Sequence, residues 1–361
     1  MQKLKSILRP IVASLLYVMY YQFIYKKFET TRNGHPLKKG ITAVVSAKNE
    51  GYTILFCLKS LIGFADQVVC IDNGSNDDTL EKMKKFKMEF GDKIEVDILE
   101  MPNALLGDCR EAGLNATRYQ WHLRWDADMV CKTSGNESML QLREKALKNN
   151  RPRAIQLPRT NLYGDFFHTS KLYEIVDPGE PILIKMSTKI EYKEFGRFDT
   201  IRLPFYYITE VEEKRYYHHC AGLKSDTNLI HRYFYFNWRE AINKKETSQD
   251  FETYKNADAL KQFGTTNSCS LKYRYQRQCV QQYIKYDAKK YGDYPDVIKE
   301  ELKKGKERFK IIYKNNRPFI RIDEEDIEMK NYQPNTEDLA WDPKKFLEKL
   351  VSPRELEIIF S

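Results

Sequence analysis

Two aspartates, Asp126 and Asp128, stand two residues apart within the mostly apolar stretch that spans residues 123–130. Aspartate is seldom fully buried, and a buried carboxylate needs a partner. On an extended backbone, residues i and i+2 face the same side, so the two carboxylates would converge on one point. Carboxylate oxygens suit Mg²⁺ or Mn²⁺ bound together with substrate phosphates. The alternative is a strand end with two solvated aspartates, because Asp-x-Asp is common by chance.

A second group with binding chemistry contains His218, His219 and Lys224. Imidazole is a common metal ligand, and the lysine ammonium is a point charge that suits phosphate. These residue types indicate His219 as a candidate metal ligand and Lys224 as a candidate phosphate-binding residue. The alternative is a pair of surface or structural histidines that bind nothing.

The composition limits the classes of protein to which the chain can belong. The 361 residues, 42% of them apolar, are enough for one large α/β domain with additions or for two domains. The net charge of +9 favours anionic partners such as phosphates or a membrane surface. The seven cysteines include no Cys-x-x-Cys pair, which argues against a zinc site or disulfide framework. They favour a reducing compartment, the cytoplasm or the cytoplasmic face of a membrane.

Short apolar runs rich in β-branched residues alternate with helical periodicity between residues 41 and 126. The predicted strands are Ile41–Ser46, Gln67–Ile71, Ile94–Leu99 and a fourth that ends at Asp126. This alternation predicts a parallel sheet with right-handed crossovers. Ligands of such sheets bind at the carboxyl ends of the strands, where Asn49, Asp72 and Asp126 would meet.

The rest of the chain has weaker signals. Strands are predicted at Ala154–Pro158 and Leu203–Ile208, a loop at residues 161–168, and helices at Tyr233–Asn243, Leu271–Tyr291 and Asp296–Tyr313. We divide the chain into an N-terminal apolar helix (1–27), a linker (28–40), a catalytic domain (41–225) and a mainly helical C-terminal region (226–361).

The apolar run Ile11–Tyr25 is flanked by basic residues on both sides. As a helix it would be roughly 22 Å long at 1.5 Å per residue, shorter than a bilayer core of about 30 Å. We therefore predict a helix that lies on a membrane surface, where its tyrosines suit the interface. The alternative is a helix docked on the body of the protein.

Residues 41–130 resemble the nucleotide-sugar half of family-2 glycosyltransferases, which have the GT-A fold. Four segments carry the resemblance: residues 46–50 (the opening strand and its loop), 71–79 (Asp-Asp-Gly-Ser-x-Asp-x-Thr), 107–114 (the Arg-Asn-x-Gly helix) and 126–128 (Asp-x-Asp). Two positions depart from the family pattern, since Asn73 replaces the second Asp and Glu111 stands where Asn is usual.

The resemblance implies roles for individual residues. The implied nucleotide-sugar site consists of Asn49, Glu50, Asp72, Asn73, Arg110, Asp126 and Lys224. Asp72 would contact the base or ribose, Arg110 would lie near the nucleotide, and Asp126 and Asp128 would hold the ribose and a Mn²⁺ or Mg²⁺ ion. Residues 219–224 resemble the His-x-x-Gly-x-x-Lys segment of several GT-A enzymes, with the gap to Lys224 one residue short. Alone, Asp72 could instead cap the following helix, and Arg110 could be a surface residue.

The resemblance also implies inversion at the anomeric carbon, which needs a carboxylate to take the acceptor proton. The family's Glu-Asp pair is missing after the Asp-x-Asp strand. We predict Asp165 as the base, with Glu180 and Asp199 as alternatives. A missing base leaves a retaining mechanism open.

Together these observations predict an α/β protein of GT-A (Rossmann-like) fold, with a mixed, mostly parallel sheet flanked by helices and a helical C-terminal extension. It would be a metal-dependent glycosyltransferase with a UDP- or GDP-sugar donor and a glycan or lipid-linked acceptor. One rival is a nucleotide-sugar-binding protein that lacks catalysis. The other is a nucleic-acid-binding protein, suggested by the alternating basic and aromatic residues at 272–277, although a solvated helix face explains those residues better.

Overall fold

A computed structural model gives the structure of the protein. It describes residues 11–12, 14–16, 18–19, 31–32, 34–149, 151–170, 180–195, 198–223, 226–266, 271, 283–305, 309–315, 317–322 and 325–328.

Strands and helices alternate through the first half of the described chain. The strands are β1 Thr31–Arg32, β2 His35–Pro36, β3 Lys38–Ala47, β4 Gln67–Asp72, β5 Glu95–Glu100, β6 Tyr119–Asp126, β7 Met129–Cys131, β8 Arg153–Leu157, β9 Thr160–Tyr163, β10 His168–Ser170, β11 Glu180–Lys185, β12 Glu191–Phe195, β13 Phe198–Arg202, β14 Ile208–Val211, β15 Tyr217–Gly222, β16 Tyr283–Lys285, β17 Phe309–Lys314, β18 Arg317–Ile322 and β19 Glu325–Glu328. The helices are α1 Ile54–Ser60, α2 Thr79–Phe90, α3 Leu106–Asn115, α4 Met139–Leu147, α5 Asp226–Asn243, α6 Phe251–Phe263, α7 Ala288–Tyr291 and α8 Lys299–Lys303, with a 3₁₀ turn at Asp296–Ile298.

The central sheet has seven strands in the order β14-β8-β11-β6-β3-β4-β5. Strands β3, β4, β5 and β6 are parallel, whereas β11 runs antiparallel to both of its neighbours. The predicted mixed, mostly parallel sheet is therefore confirmed. Helices α1, α2 and α3, which lie in the connections between these parallel strands, cover the central sheet.

Both faces of this sheet are buried, which explains why its strands are almost continuously apolar. Successive side chains of β3 point to opposite faces. Val45 packs with Ile54 of α1 in the large core on one face, while Val44 packs with Cys109 of α3 on the other. Gly113 of α3 also lies so close to the sheet that a Cβ there would be 2.2 Å from a methyl carbon of Val44.

A smaller sheet extends the Asp-x-Asp strand. β7 follows β6 after a two-residue turn, and β15 lies between β7 and β9, antiparallel to the first and parallel to the second. The segment at 161–168, predicted as a loop, thus contains most of β9 and the start of β10. Its Leu162 and Phe166 are buried in one core with Tyr286 and Tyr291, and these long-range contacts decide the local structure.

Several predictions of local structure were wrong. Residues 203–207, predicted as a strand, separate β13 from β14, and the helix predicted from Asp296 ends at Lys303. β16 stands inside the helix predicted at Leu271–Tyr291, and β17, β18 and β19 form an antiparallel sheet. The C-terminal region is nonetheless helical from α5 through α8 over much of its described length.

The segment before β3, predicted as a linker, contains two short paired strands. Arg32 in β1 is buried, and its guanidinium donates to the Ser187 carbonyl and to Asn115 Oδ1, at 3.2 and 2.7 Å. These contacts connect the start of the segment to α3.

The N-terminal residues that the structure describes are helical, and their apolar side chains are exposed. Leu15 is 61% exposed and Met19 is 66% exposed. Within the described part of the chain, no helix has both the length and the apolar character needed to cross a membrane.

Candidate active site

The register of the central sheet brings the predicted site residues to one edge. Ala47, at the end of β3, lies opposite Asp72 of β4, and Ser46 lies opposite Asp126 of β6. Asn49 follows at once in the left-handed region, with φ 57°, which asparagine tolerates better than most residues. Its side-chain oxygen accepts the Asn76 N–H at 2.8 Å, and so ties the loop after β3 to the loop after β4.

Asp72 shapes the loop that follows β4. Its Oδ2 atom accepts the N–H groups of Gly74 and Ser75, both at 3.1 Å. Helix α2 begins only at Thr79, with Asp78 as its N-cap residue, so Asp72 does not cap it. The Oδ1 atom of Asp72 is buried, and no described protein group donates a hydrogen bond to it. A ligand N–H or O–H group can satisfy that oxygen.

Asn73 and Glu50 contact the protein itself. The Asn73 amide donates to the Ala104 carbonyl at 2.7 Å and to Cys109 Sγ at 3.2 Å, which an aspartate could not do. Glu50 is buried, and its Oε2 atom accepts the Thr53 hydroxyl at 3.1 Å. Both side chains hold loops at the edge of the site.

Arg110 is the most buried charge of the site, with its side chain 1% exposed. Its guanidinium forms an ion pair with Asp126, donates to the Trp125 carbonyl at 2.8 Å, and lies 3.5 Å from Asp199. Burial acts to lower the pKa of Arg110, but the carboxylates of Asp126 and Asp199 outweigh it and raise this pKa. Arg110 therefore orients the first aspartate of the Asp-x-Asp sequence.

Burial acts to raise the pKa of Asp126, but the charge of Arg110 outweighs it and leaves this pKa below its ordinary value. Asp126 is accordingly an ionised carboxylate near neutral pH. In this form it offers oxygen lone pairs to a cation or to a hydroxyl group.

Asp199 lies between two arginines. Its side chain is 2% exposed, and Arg124 binds its Oδ1 atom at 3.3 Å on the side opposite Arg110. The residue reaches this place through the hairpin of β12 and β13. The sequence marked Asp199 as an alternative base but gave no sign of the arginine contacts, because they join residues far apart in the chain.

Asp126, Asp128 and His219 converge at the edge of the sheet. One potential ligand atom from each residue lies within 4.8 Å of the others. The position of His219 follows from the pairing of β15 with β7, in which the Cys220 N–H also donates to the Asp128 carbonyl at 2.7 Å. Two carboxylates and one imidazole are a ligand set for a divalent cation.

The hydrogen bonds of His219 fit a metal ligand. Its Nδ1 atom lies 3.0 Å from the amide oxygen of Asn161, which only accepts, so Nδ1 carries the proton. Nε2 then presents a lone pair, and it lies 3.3 Å from Asp128 Oδ1. Two electron-pair donors at that distance require a cation or a proton between them. An amide that fixes the imidazole in this way is a typical outer partner of a metal-bound histidine.

Arg232 also reaches the Asp-x-Asp sequence, because its guanidinium lies 3.8 Å from Asp128 Oδ2. It belongs to α5, in a region where the sequence showed no motif, and its closeness to Asp128 follows only from the fold. Its side chain is 40% exposed, so it can also bind an anion in the site. Lys224, the predicted phosphate-binding residue, lies outside the described residues.

Asp165 lies in the turn between β9 and β10 and is 5% exposed. Its Oδ1 atom accepts the Phe167 N–H at 2.8 Å and faces His168 Nδ1 at 2.7 Å. Glu180, the other alternative base, begins β11, and its side chain is outside what the structure describes. The sequence singled out Asp165 but not its pairing with His168.

Residues 42–203 match the sequence profile of a family described as "Glycosyl transferase family 2". This part of the chain is a family-2 glycosyltransferase domain. The resemblance inferred from the four sequence segments is thereby confirmed, and so are the GT-A fold class and the prediction of a glycosyltransferase. No curated protein has a matching sequence.

Solved structures similar to this glycosyltransferase share little sequence identity with it. One is S. aureus TarS (residues 1–349) in complex with UDP-GlcNAc, which is 13% identical over 81% of this chain and 99% of that chain, with a TM-score of 0.39. Another is the mannosyltransferase PcManGT from Pyrobaculum calidifontis in complex with GDP-Man and Mn²⁺, which is 12% identical over 82% of this chain and 88% of that chain, with a TM-score of 0.38.

Proposed function

We propose that the protein is a metal-dependent glycosyltransferase that transfers a sugar from a UDP- or GDP-sugar to a glycan or lipid-linked acceptor, with inversion. The observation that carries this proposal is the convergence of Asp126, Asp128 and His219 within a family-2 domain. These three residues would hold Mn²⁺ or Mg²⁺. When bound, the ion would offset the diphosphate charge as the sugar loses its leaving group.

The residues around the proposed metal site supply the remaining electrostatics. Arg110 keeps Asp126 ionised and in place. Arg232, next to Asp128, is positioned to bind the diphosphate of the donor, and we assign Lys224 the same role from its sequence context. Asn49 and Glu50 hold the loop after β3 against the nucleotide. Fixed charges of this kind need no rearrangement as negative charge develops on the leaving group.

The buried Oδ1 atom of Asp72 supports a contact with the nucleotide base or ribose. Asp72→Asn can keep one acceptor for the Gly74 and Ser75 N–H groups while it replaces the other oxygen by an NH₂ donor. We expect UDP or GDP affinity to fall roughly 10–100-fold, since hydrogen bonds to charged groups contribute about 1.5–3 kcal/mol, with little change in melting temperature. Calorimetric titration and thermal unfolding check this. Unchanged nucleotide affinity with a large loss of stability would show that Asp72 only holds the loop after β4 and does not contact the nucleotide.

For the acceptor proton we propose that Asp165 acts together with His168. The carboxylate accepts from Nδ1–H, so Nε2 of His168 has the lone pair, and the 18% exposed ring of His168 is more accessible than the side chain of Asp165. Asp165 then orients the imidazole and stabilises its charged form, as in other carboxylate–histidine pairs. The turn that holds the pair follows β9, whose Asn161 binds His219.

Both Asp165→Asn and His168→Gln are expected to lower turnover about 10²-fold while leaving donor affinity unchanged, because the loss of a general base costs 10²–10⁴-fold. Steady-state rates and donor titrations of the two variants test this. If either variant turns over at the wild-type rate, the pair does not take the proton and Glu180 becomes the next candidate.

We propose that the N-terminal helix brings the enzyme to the surface of a membrane. Its exposed apolar side chains, among them Leu15 and Met19, support a helix lying in the interface over one docked on the body. The free thiols of the described cysteines support a reducing compartment, and so the cytoplasmic face. Flotation of the full chain with anionic liposomes, compared with a chain that lacks residues 1–27, tests the contact; equal behaviour of the two would exclude it.

A screen of UDP- and GDP-sugars with Mn²⁺ tests the function as a whole. Release of nucleoside diphosphate from one of these donors is the expected result. Binding without any release, even with saccharides added as acceptors, would favour the non-catalytic nucleotide-sugar-binding protein. Indifference to all donors combined with salt-sensitive binding to arbitrary RNA or DNA would favour the nucleic-acid-binding alternative.

A further inference from the structure

Helix α5 has two different apolar faces. Ile230 and Phe234 are buried, and they pack against Ala259 and Phe263 of α6 to form the core of this helix pair. His231, Tyr235 and Trp238 follow the i, i+4, i+7 spacing of a neighbouring face. These three rings, together with Phe251 at the start of α6, are called the aromatic strip below.

The rings of the aromatic strip contact one another without being buried. Ring centroids lie 6.3 Å apart for His231 and Tyr235, 5.8 Å apart for Tyr235 and Trp238, and 5.7 Å apart for Trp238 and Phe251. Tyr235 is 37% exposed, and His231 is also exposed. The Trp238 Nε1–H group donates to the Gln249 carbonyl at 2.9 Å, which fixes the indole. The strip is thus a pre-ordered aromatic surface that borders the core of the helix pair, against which Phe251 packs.

The strip begins beside the catalytic centre. Arg232, the residue after His231, lies 3.8 Å from Asp128 Oδ2. Burial and the charge of Lys255 lower the pKa of His231 against the opposing effect of Glu252, and Lys48, in the loop after β3, lowers this pKa further. The face from His231 to Trp238 therefore leads away from the Asp-x-Asp sequence along α5.

We propose that the aromatic strip binds a saccharide portion of the acceptor. Flat, rigid rings can cover the C–H faces of sugar rings at little cost in conformational entropy, and the phenol of Tyr235 and the imidazole of His231 add polar edges to the strip. The eight residues from His231 to Trp238 span roughly 10 Å of helix, enough for more than one sugar ring. An acyl chain would instead favour Leu, Ile or Met, and the strip contains none of them.

This inference rests on the proposed transferase function and narrows its acceptor from "glycan or lipid-linked" to one that presents sugar rings next to the reacting hydroxyl. A lipid-linked acceptor remains compatible if it carries such sugars. An acceptor with no sugar next to that hydroxyl, such as a protein side chain or a bare lipid alcohol, is excluded.

The test uses the full chain on a printed array of oligosaccharides, with Tyr235→Ala, Trp238→Ala and the control Phe205→Ala. Phe205 is 74% exposed and lies between β13 and β14, so its replacement removes an exposed ring outside the strip. We expect the wild type and Phe205→Ala to bind the same saccharides. Each strip variant should bind these about tenfold more weakly, because it loses the buried area and the aromatic contact of one ring.

With a bound saccharide as acceptor, the strip variants should raise the acceptor KM and leave kcat nearly unchanged, because the lost contacts are equal in ground and transition states. Binding of no saccharide by the wild type, or equal binding by all variants, would overturn the inference. UDP or GDP titration with Mn²⁺ separates the two proposals. If nucleotide binding is normal and the strip variants bind saccharides as the wild type does, only the saccharide-binding role of the strip is refuted. If nucleotide binding is absent, the transferase function itself is refuted.

Discussion

Asp128→Asn is expected to lower the release of nucleoside diphosphate from the donor sugar at least about 10³-fold, since loss of metal-based charge stabilisation removes several kcal/mol. The substitution keeps the shape of the side chain but removes its charge. That charge lies with Asp126 and His219 at the proposed metal site and next to Arg232. Steady-state rates in Mn²⁺ provide the measurement.

The fold of this variant should survive. Asp126 and Asp128 are like charges within one small cluster, and removal of one relieves their mutual repulsion. Asp78→Asn is the matched control, because Asp78 is an exposed acid that forms an i,i+4 ion pair with Lys82, an interaction of about 0.3–0.5 kcal/mol. The control should retain wild-type turnover. Full activity of Asp128→Asn, or of the wild type in excess chelator, would contradict metal dependence.

The second large effect is on stability. Arg110→Ala is expected to lower the free energy of unfolding by about 3 kcal/mol, at the low end of the 3–5 kcal/mol for breaking a buried ion pair. The substitution would leave the buried Asp199 with Arg124 as its remaining arginine partner. It would also remove the ion pair between Arg110 and Asp126. The low end applies because Asp126 is one-third exposed and water can solvate it. Urea unfolding gives the value.

Arg118→Ala is the matched control for Arg110. Arg118 also faces two carboxylates, Glu95 and Asp97, but its side chain is 47% exposed. Exposed pairs contribute about 0–1 kcal/mol, so this variant should be nearly as stable as the wild type. Equal losses in the two variants would mean that burial does not set the strength of the Arg110 contacts.

The pH dependence of stability follows from the same ion pair. Because Asp126 has a lowered pKa in the folded protein, its contribution is fully present above the ordinary aspartate pKa. It is lost as the pH falls below that value and through the lower pKa of the folded state. The Arg110→Ala variant should therefore lose less stability than the wild type over that acidic range.

The sequence predicts best where local pattern and burial agree. The strands around Val44 and Val69 are buried on both faces, so continuous apolar runs mark them, and the polar residues that end them meet at one edge of the sheet. Residue type and the resemblance of residues 219–224 to the His-x-x-Gly-x-x-Lys segment both indicate His219, and the pairing of β15 with β7 supplies the reason for its position.

The contacts that escaped prediction join distant parts of the chain. Asp199 reaches Arg110 through a hairpin, and Arg232 reaches Asp128 from a helix with no motif. Phe166, in the 164–167 turn, forms ring pairs with Tyr52 and Phe56, and the Tyr294 hydroxyl donates to its carbonyl at 2.7 Å. In the C-terminal region, the run Phe309–Lys314 contains β-branched residues, which are enriched in strands, and it pairs with β18. The helix prediction did not take this strand preference into account.

The most direct test of the proposed metal site is pulsed electron paramagnetic resonance of the full chain with Mn²⁺ and UDP or GDP. We predict a ¹⁴N coupling from the imidazole of His219 together with ³¹P couplings from the diphosphate. In His219→Ala the ¹⁴N coupling should disappear while the ³¹P couplings remain. A wild-type spectrum without ¹⁴N coupling, or one that His219→Ala leaves unchanged, would contradict the metal site formed by Asp126, Asp128 and His219.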